Sequence, residues 1–474
     1  MLSAWSDPIV AMATAPGRGA VGIVRISGKG LQAWVTQWMG QSLTPRMASL
    51  ITVHDAARSP IDQVIALWFP APHSYTGEDV LELQGHGGMV VMQMLIKHCL
   101  ESAQAFGSDA HVRRMRLARP GEFTERAYLN HKIDLAQAEA VADLIDASSE
   151  AAVRSATRSM GGAFSKEVHH LGDGLTKLRS LVESTLDFPE EEIDFLQQAD
   201  AQGQIQALML QCGALLERSR QGALLRDGVQ LVIAGQPNVG KSALLNALSG
   251  QDTAIVTDIP GTTRDALTQT IHVDGLPIHV VDTAGLRDHQ QEAIDRVEKI
   301  GIDRAWQHIV QADAVLFLHD LSRRGEAVYT ERDAQIQSQI AALMGAQQTC
   351  LQVWNKVDVL PIHARETAHS SEIWISAQTG EGLPQLKAAL LAAVGCQSSS
   401  DTGAYSARGR HLQALKSVQA HMALAQQGLD SQHLQLEVVA EELRLAQLAL
   451  SGITGEVTAD DLLGEIFSRF CIGK

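Results

Sequence analysis

The feature that most limits how this chain can fold is a glycine-rich loop near its middle. An apolar run, Gln230–Ala234, leads into Gly235-Gln-Pro-Asn-Val-Gly-Lys-Ser242, and the helical run Ala243–Leu248 follows. A G-x-x-x-x-G-K-S segment between a strand and a helix is a phosphate-binding P-loop. Its N–H groups would hold phosphates, with Lys241 reaching the β- and γ-phosphates and the Ser242 hydroxyl binding Mg²⁺. The sequence therefore predicts an open α/β sheet with a nucleotide site at one edge.

A second motif, at the end of a later apolar run, is typical of a nucleoside triphosphate site. Asp282-Thr-Ala-Gly285 follows Ile278–Val281, which places Asp282 at a strand end, where it can hold the Mg²⁺ shell through water. The backbone N–H of Gly285 can then sense a γ-phosphate. The stretch before it breaks at Asp274-Gly275, a strong signal for a β-hairpin turn.

Two later motifs predict which base is bound. Asn355-Lys-Val-Asp358 follows the apolar run Cys350–Trp354. The carboxylate of Asp358 can accept hydrogen bonds from N1–H and N2–H₂ of guanine, a donor pair that adenine lacks. Ser376-Ala377, after Ile373–Ile375, would offer a backbone N–H to the guanine O6. Four motifs in this order, each after an apolar run, predict a GTPase domain.

The residue after the D-x-x-G glycine departs from the Ras-like pattern. Ras-like enzymes place a glutamine there to orient the attacking water. Here the position is Leu286, whose side chain cannot hydrogen-bond. Either hydrolysis is slow or another group orients the water.

Composition limits the remaining possibilities. At 474 residues with 45% hydrophobic residues, the chain is long enough for two to four domains with real cores. The net charge of −16 argues against a stand-alone binder of nucleic acid, which would carry a basic stripe. No apolar run is long enough to span a bilayer, and Met1–Val10 does not read as a signal peptide. The five scattered cysteines favour a reduced, cytoplasmic protein.

Three patterns of apolar residues follow one another along the chain. Short apolar runs, namely Val21–Ile26, Val64–Phe69 and Val80–Leu83, predict strands in the first part. Helical spacing dominates from about 132 to 226, and the strand–helix alternation of the GTPase domain follows. The Ser/Gly-rich stretch 397–403 marks a boundary before the helical stretch His411–Ser451. One helical domain interrupted by an insertion explains this order, and two unrelated helical pieces are the alternative.

Several motifs together resemble one family, the bacterial tRNA-modification GTPases MnmE (TrmE). The resemblance covers the whole chain. The motifs that carry it are Ala13–Gly19, Val21–Arg25, Thr76–Gly87, Arg119–Glu125, Lys132–Asp146, Asp187–Phe195, Asn238, Thr257–Asp265, Asp282–Arg287 and the ending Cys471–Lys474. Relative to the family pattern, Ala103–Arg113 is an insertion, for which we predict a surface loop, and Asp288–Arg296 is a few residues longer.

The resemblance implies that K⁺ sits where other GTPases receive an arginine finger. Asn238 would then give a side-chain oxygen to K⁺, as would Thr257, Ile259 and Thr262 from the loop around it. Thr263 would join Ser242 on Mg²⁺. The family's water-orienting acid matches Glu298, before the run Lys299–Ile302, with Glu292 as the alternative. Catalysis is accordingly assigned to Glu298, Lys241 and Asn238.

The resemblance also gives the flanking regions a role. The family's N-terminal domain forms a constitutive dimer and binds a tetrahydrofolate derivative, 5-formyl- or methylene-tetrahydrofolate. Arg25, Glu82, Lys132 and the terminal Lys474 match the positions expected near that folate. Chemically, Glu82 suits the N–H edge of a pterin, whereas Arg25 and Lys132 suit anionic groups. Cys471 is either a participant in the modification chemistry or a buried residue that anchors the tail.

The resulting prediction is a multidomain α/β plus α protein. It has an N-terminal α+β folate-binding and dimerisation domain (1–130), a discontinuous helical domain (131–227 and 397–474) and an inserted P-loop GTPase domain (228–396). The residues assigned to GTP are Gly235, Asn238, Val239, Gly240, Lys241, Ser242, Ala243, Thr257, Asp258, Ile259, Pro260, Gly261, Thr262, Thr263, Asp282, Thr283, Ala284, Gly285, Asn355, Lys356, Asp358, Ser376 and Ala377.

The resemblance further implies a homodimeric GTP hydrolase that acts with an FAD-dependent MnmG-type partner, in a heterotetramer or larger assembly. Together they would add an aminomethyl or carboxymethylaminomethyl group to C5 of the wobble uridine, position 34, of certain tRNAs. The acidic charge suggests that the partner makes most of the tRNA contacts. A ribosome-assembly switch GTPase is the alternative. It would share the nucleotide motifs but should carry a basic appendage, where this chain ends in an acidic helical segment.

Overall fold

The structure is a computed structural model. It describes residues 6–107, 109–187, 199–250, 268–282, 306–345, 348–361, 372–396, 403–431, 435–456, 460–468 and 470–473. The chain forms two compact units. The first comprises residues 1–142, 165–196 and 431–474, and the second comprises residues 143–164 and 197–430. The predicted domain boundaries stay predictions.

The first unit is built on a six-stranded mixed sheet. Its strands are β1 (Ile9–Met12), β2 (Val21–Gly28), β3 (Ser49–His54), β4 (Pro60–Phe69), β5 (Asp79–His86) and β6 (Arg116–Leu117). They lie in the order β3-β4-β5-β2-β1-β6. Neighbouring strands are antiparallel except for the parallel pair β1 and β6. The three strands predicted in this part of the chain are therefore confirmed.

Helices α1 (Gln32–Met39) and α2 (Met89–Gln104) pack on this sheet, and neither was predicted. Trp34 of α1 is buried, stacks on Trp38 at 4.9 Å and donates through its indole N–H to Ser102 Oγ. Leu95 of α2 enters the same core with Leu81 and Leu83 of β5. The apolar runs noted in the first part of the chain predicted strands and thus missed the two helices that bury one face of the sheet.

The segment Ala103–Arg113, predicted to be a surface loop, is partly a core element. Ala103 lies in the last turns of α2 and is fully buried. Phe106 and Val112 are buried too and belong to the same hydrophobic core as Trp34. The prediction of a surface loop holds for exposed residues such as Ala105, Gly107 and Ala110, and it is wrong for the three buried ones, because their apolar side chains reach the core.

A buried ion network fixes helix α3 (Glu122–Leu129) to the sheet. Arg126 is 2% exposed, and its guanidinium binds Glu78 Oε2 at 2.9 Å and Glu122 Oε1 at 3.0 Å. Ser27 of β2 also donates to Glu78, at 2.8 Å. Removing one member of such a network leaves an uncompensated buried charge, so the network holds α3 in one position.

The helical part of the first unit includes residues of α4 (Leu135–Asp146), α6 (Ala163–Asp187), α12 (Leu436–Thr454) and α13 (Asp460–Ser468). Leu135 of α4 packs with Phe467 of α13 and with Phe470. On α6, Arg179 binds Gln447 of α12 at 2.5 Å. Gly121, just before α3, fits closely against the backbone of α13, because a Cβ there would lie 2.4 Å from Phe467 O.

The second unit contains a six-stranded, mostly parallel sheet. Its strands are β7 (Val229–Ala234), β8 (Thr268–Val273), β9 (Leu276–Asp282), β10 (Ala314–Asp320), β11 (Thr349–Asn355) and β12 (Ile373–Trp374), in the order β12-β11-β10-β7-β9-β8. Only β8 and β9 pair antiparallel, through the hairpin turn predicted at Asp274-Gly275. All strand runs predicted for this region are confirmed.

The described helices that alternate with the strands of this sheet along the chain are α8 (Lys241–Ser249), α9 (Ala327–Leu343) and α10 (Leu383–Ala393). Helices α5 (Glu150–Met160), α7 (Ala201–Asp227) and α11 (Gly409–Asp430) belong to the same unit, and α7 packs along α5 and α11. The helical pattern predicted for residues 132–226 and 411–451 is confirmed for the described residues of these ranges, which leave out 188–198 and 432–434. Among the described residues, no helix is long and apolar enough to cross a membrane.

Gly222 marks the tightest contact of α7. A Cβ at this position would lie 1.7 Å from Tyr405 O, which no side-chain movement could relieve. Gly213, on the same helix, has no atom within 4 Å of such a Cβ. The two glycines therefore form a matched pair that separates backbone crowding from helix propensity.

We expect Gly222→Ala to lower the free energy of unfolding by about 2–3 kcal/mol, the usual cost of overpacking. Gly213→Ala should instead raise it by about 0.5–1 kcal/mol, because alanine favours the helix interior over glycine. Urea denaturation followed by circular dichroism measures both. Equal shifts for the two variants would contradict the packing of α7 against residue 405.

Candidate functional site

The P-loop follows the central strand β7 at the edge where the parallel strands end. Gly235 has φ +145°, and a Cβ on it would lie 2.4 Å from Leu318 O. Gly240 has φ +100°, and its Cβ would lie 2.3 Å from Asn355 Nδ2. Both positions therefore require glycine, for backbone conformation and for space. The loop forms a tight backbone cradle at the end of the sheet where ligands of open α/β folds bind.

Three P-loop side chains predicted to act on the nucleotide lie at the mouth of this cradle. Asn238 is exposed and left-handed, with φ +65°. Lys241 Nζ donates to Gly235 O at 2.8 Å and to Gln236 O at 3.0 Å. Ser242 is exposed in the first turn of α8, whose N-terminal N–H groups carry partial positive charge. A phosphate cradle with an ammonium and a hydroxyl at its rim fits a Mg²⁺–nucleotide.

Asn355 connects the P-loop with the predicted base-binding loop. Its side chain is buried, its Nδ2 donates to Val239 O at 2.8 Å, and its Oδ1 accepts from Ala377 N at 3.0 Å. Asn355 was predicted to bind GTP, whereas its role in joining two loops was not predicted. The amide therefore sets the distance between the phosphate end and the base end of the site.

Lys356 continues the base loop in a left-handed conformation, with φ +72°, and its Nζ binds Asp320 Oδ2 at 2.6 Å. Burial would raise the pKa of Asp320, but hydrogen bonds from Lys356 and Ser322 outweigh it and the pKa lies below its usual value. Sequence analysis missed Asp320, although its place at the end of the apolar run Ala314–Asp320 was a usable signal.

The guanine-reading residues of the prediction lie on adjacent turns. Asp358 is partly buried in a 3-10 turn, Val357–Val359, and Val357 N donates to Ile375 O at 3.1 Å. In the next loop Ser376 N donates to Glu381 O at 2.9 Å, and Ser376 Oγ accepts from Thr379 N. The structure thus brings both predicted base motifs to the P-loop edge of the sheet.

Several assigned residues lie outside the described residues. They are Thr257, Asp258, Ile259, Pro260, Gly261, Thr262, Thr263, Thr283, Ala284, Gly285, Glu292, Glu298 and Lys474. The backbone of Asp282 ends strand β9, beside the end of β7, as predicted for a Mg²⁺-shell residue. The assignments for these residues stay predictions.

In the first unit, two of the residues matched to a folate site form one ion pair. Arg25 of β2 stands opposite Glu82 of β5, and Arg25 Nε binds Glu82 Oε1 at 2.8 Å. Arg25 Nη1 also donates to Gly473 O at 3.3 Å, which brings the end of the chain to this pair. The guanidinium lies 5.8 Å from the ring centroids of both Tyr75 and Phe123. We call Arg25, Glu82, Tyr75, Phe123 and Gly473 the Arg25 cluster.

Lys132, which follows helix α3, contacts the loop that carries Tyr75. Its Nζ donates to Pro72 O at 3.1 Å, and its side chain runs beside Gly77. Asn130 holds the same loop by donating to Thr76 O at 2.7 Å. Lys132 is exposed, and its ammonium is held at Pro72 O.

Helix α3, which carries Phe123, adds two carboxylates that sequence analysis did not single out. Burial would raise the pKa of Glu122, but hydrogen bonds from Arg116, the Arg119 N–H and Arg126 lower it to about 2. Burial raises the pKa of Glu125 to about 7, with Arg119 opposing and Glu122 adding to the shift. The neighbouring Thr124 hydroxyl lies 2.9 Å from Tyr75 Oη. A carboxyl group that exchanges protons near neutral pH therefore lies on the helix next to the cluster.

Cys471 is exposed, so the alternative of a buried residue that anchors the tail is wrong for its side chain. Its backbone nevertheless helps to hold the tail, because Cys471 O accepts from Gly121 N at 3.3 Å and Ile472 forms a β-bridge with Pro120.

The second sheet and its site define a class of protein. A mostly parallel sheet of this order, a G-x-x-x-x-G-K-S loop after its central strand and an N-K-x-D loop tied to it are those of a P-loop domain for guanine nucleotides. The model of the MnmE helical domain matches residues 135–471, and that of the GTP-binding protein TrmE N-terminus matches residues 8–132. The chain belongs to the MnmE (TrmE) family.

Curated relatives agree over the full length. The "tRNA modification GTPase MnmE" of Acidovorax sp. (strain JS42) is 58% identical, and that of Leptothrix cholodnii (strain ATCC 51168 / LMG 8142 / SP-6) is 54% identical. In both comparisons 100% of each chain is covered. A solved structure of Aquifex aeolicus Era is 27% identical, covering 41% of this chain and 67% of that one, with a TM-score of 0.27. A likeness at that TM-score adds nothing to the family assignment.

Proposed function

We propose that this chain is a GTP hydrolase that acts in tRNA modification. The observation that carries the proposal is the amide of Asn355, which binds Val239 O of the P-loop and Ala377 N of the loop after β12. This contact joins the phosphate cradle to the loop assigned to the base, which supports a site for a single nucleotide. The full-length identity to proteins named tRNA modification GTPase supports the biological context.

The GTP site would use the residues already placed around the P-loop. The backbone N–H groups of residues 238–243 would face the phosphates, and Lys241 would exchange its carbonyl partners for phosphate oxygens. Ser242 would hold Mg²⁺, with Thr263 and, through water, Asp282. Asp358 would accept the N–H groups of guanine, while Ser376 and Ala377 face O6. Mg²⁺ supplies charge neutralisation at the phosphates.

Hydrolysis in this chain needs a replacement for the missing glutamine and arginine finger. We assign K⁺ to Asn238, Thr257, Ile259 and Thr262, where it would offset the negative charge that develops on the phosphates. Asn238 supports this assignment, because its exposed amide sits at the rim of the cradle. Glu298 would orient the attacking water, with Glu292 as the alternative.

The Arg25 cluster is proposed to bind the tetrahydrofolate derivative. Glu82 offers a carboxylate for the N–H edge of a pterin, and Arg25 and Lys132 offer cations for anionic groups. Tyr75 and Phe123 supply ring faces beside Arg25. Lys474 is one residue beyond Gly473, whose carbonyl already contacts Arg25. Cys471, exposed on the same tail, stays a candidate for the modification chemistry.

The remaining assignments concern assembly. We propose a homodimer through the N-terminal domain, and an FAD-dependent MnmG-type partner that makes most of the tRNA contacts. The net charge of −16 supports this division of labour, because a tRNA grip needs basic surface. GTP turnover would open and close the GTPase domains and so act on the folate site. The cytoplasmic location expected from the cysteines stays a prediction.

Potassium dependence can be tested directly. GTP hydrolysis should be at least about tenfold faster in KCl than in NaCl of equal ionic strength, given what one electrostatic group contributes to a transition state. Asn238→Ala should remove most of that difference. Asn246→Ala, an exposed asparagine of helix α8, should keep it. Equal wild-type rates in the two salts would exclude K⁺ as the activating ion.

Folate binding can be tested by calorimetry with 5-formyltetrahydrofolate. We expect a measurable heat for the wild-type chain and an affinity weaker by about tenfold or more for Arg25→Met, because a charge-assisted contact is lost. Arg58→Met, in the exposed turn between β3 and β4, is the matched control and should bind like the wild type. A wild-type chain that gives no heat would contradict the assignment of the Arg25 cluster.

The role in tRNA can be tested by mass spectrometry of wobble uridines from cells lacking this gene. The modified nucleosides should disappear and return with the wild-type gene. Asp358→Asn should fail to restore them, because losing the carboxylate weakens GTP by about a hundredfold. Asp274→Asn keeps a good hairpin turn and should restore them. Unchanged nucleosides in the deletion strain, with accumulated ribosomal precursors, would favour the ribosome-assembly alternative.

A further inference from the structure

The second residue of the P-loop, Gln236, carries a buried side chain that points away from the cradle. It is 5% exposed, and its Nε2 donates to Tyr329 O at 2.8 Å and to Asp333 Oδ1 at 2.6 Å. Both hydrogens of the amide are therefore used, on two residues one turn apart on helix α9. The P-loop is thus attached to α9 by a side chain as well as by its own backbone.

Asp333 is held in turn by a histidine of the neighbouring strand. His319 Nδ1 lies 2.5 Å from Asp333 Oδ2, so that one carboxylate oxygen faces His319 and the other faces Gln236. His319 Nε2 lies 2.8 Å from Gln352 Oε1, and the ring stacks on Trp354 at 4.3 Å. Since His319 and Asp333 are each 6% exposed, water cannot replace these contacts. The contact with His319 therefore fixes the orientation in which the Asp333 carboxylate accepts from Gln236.

The same helix turn reaches the base-binding loop. The Tyr329 hydroxyl accepts from Asp320 N at 2.7 Å, and the Asp320 carboxylate binds Lys356 of the N-K-V-D segment. Tyr329 is 1% exposed and uses its backbone oxygen for Gln236 and its side chain for Asp320. The first turns of α9 therefore hold both ends of the candidate nucleotide site.

Holding Gln236 has a consequence for the phosphate end. Gln236 O accepts from Lys241 Nζ at 3.0 Å, so the position of this peptide sets where the ammonium lies before a nucleotide binds. The adjacent Gly235 lies close against the backbone of Leu318, because a Cβ on it would be 2.4 Å from Leu318 O. A P-loop that is preorganised binds phosphates without first paying to order its backbone.

We propose that Gln236, held by the His319-oriented carboxylate of Asp333, is a positioning residue that preorganises the P-loop for the phosphates. This inference rests on the proposed nucleotide site and extends it to Gln236, at a variable position of the P-loop motif, and to His319 and Asp333, which lie outside every motif. The P-loop conformation that Gln236 holds is proposed to be the same for GDP and GTP. Loss of the Gln236 contacts should therefore weaken the binding of both nucleotides equally.

The test measures dissociation constants of fluorescent GDP and of a fluorescent, non-hydrolysable GTP analogue with the full-length chain. Gln236→Leu should raise both constants by about tenfold, leaving their ratio unchanged. Gln348→Leu is the matched control: the amide of Gln348 also donates to carbonyls, those of Ile309, Val310 and Ala312, but not in the P-loop. It should lower the melting temperature and leave both dissociation constants as in the wild type.

A double-mutant cycle separates positioning from general destabilisation. Asp333→Asn replaces one of the two carboxylate oxygens by an NH₂ group, which cannot accept a hydrogen bond. The side chain can then no longer accept from His319 with one oxygen and from Gln236 with the other. Alone, it should weaken GDP several-fold; in the Gln236→Leu background it should cost no further affinity. Additive losses, or a Gln236→Leu protein that is less stable but binds GDP normally, would overturn the inference. A wild-type chain that binds no guanine nucleotide would instead refute the proposed function.

Discussion

The side-chain amide of Asn355 is the interaction on which the candidate nucleotide site depends. One end of this buried amide binds Val239 O and the other binds Ala377 N. The contact is possible only because Gly240 leaves the space that a Cβ would fill. Gly240 and Asn355 therefore act together, because the absence of a side chain at Gly240 makes room for the hydrogen-bonding side chain of Asn355. Since buried polar groups need partners, this arrangement has few alternatives.

The same principle appears in the first unit with charges instead of amides. Arg126, Glu78 and Glu122 form a buried network that fixes helix α3, and Phe123 of that helix faces Arg25. The Arg25–Glu82 pair is set by the register of β2 against β5. The Arg25 cluster thus depends on a buried ion network that lies outside it and on the pairing of β2 with β5, which sets Arg25 opposite Glu82. Glu125, with a pKa near 7, is a product of the same burial.

Strands were predictable wherever apolar runs ended at a motif, as at Gln230–Ala234 and Cys350–Trp354. Helices α1 and α2 were not predicted, because the apolar runs noted in this part of the chain, Val21–Ile26, Val64–Phe69 and Val80–Leu83, lie outside both of them. The segment Ala103–Arg113 was misjudged because an insertion in a sequence pattern does not reveal which side chains find a core. The candidate site was predicted through its motifs, whereas Asp320, Tyr329 and Asp333 carry no motif.

The sequence by itself determined the class of site and its chemistry, because the P-loop, Asp358 and Ser376-Ala377 act through residue types at short, ordered spacings. It also determined membership of the MnmE family, since motifs at both ends and in the middle are local. Only the tertiary structure decided which distant residues meet. Gln236 contacts Asp333 across 97 residues, and Arg25 contacts Gly473 across 448. Such contacts depend on the order of strands and the packing of helices, which no local spacing encodes.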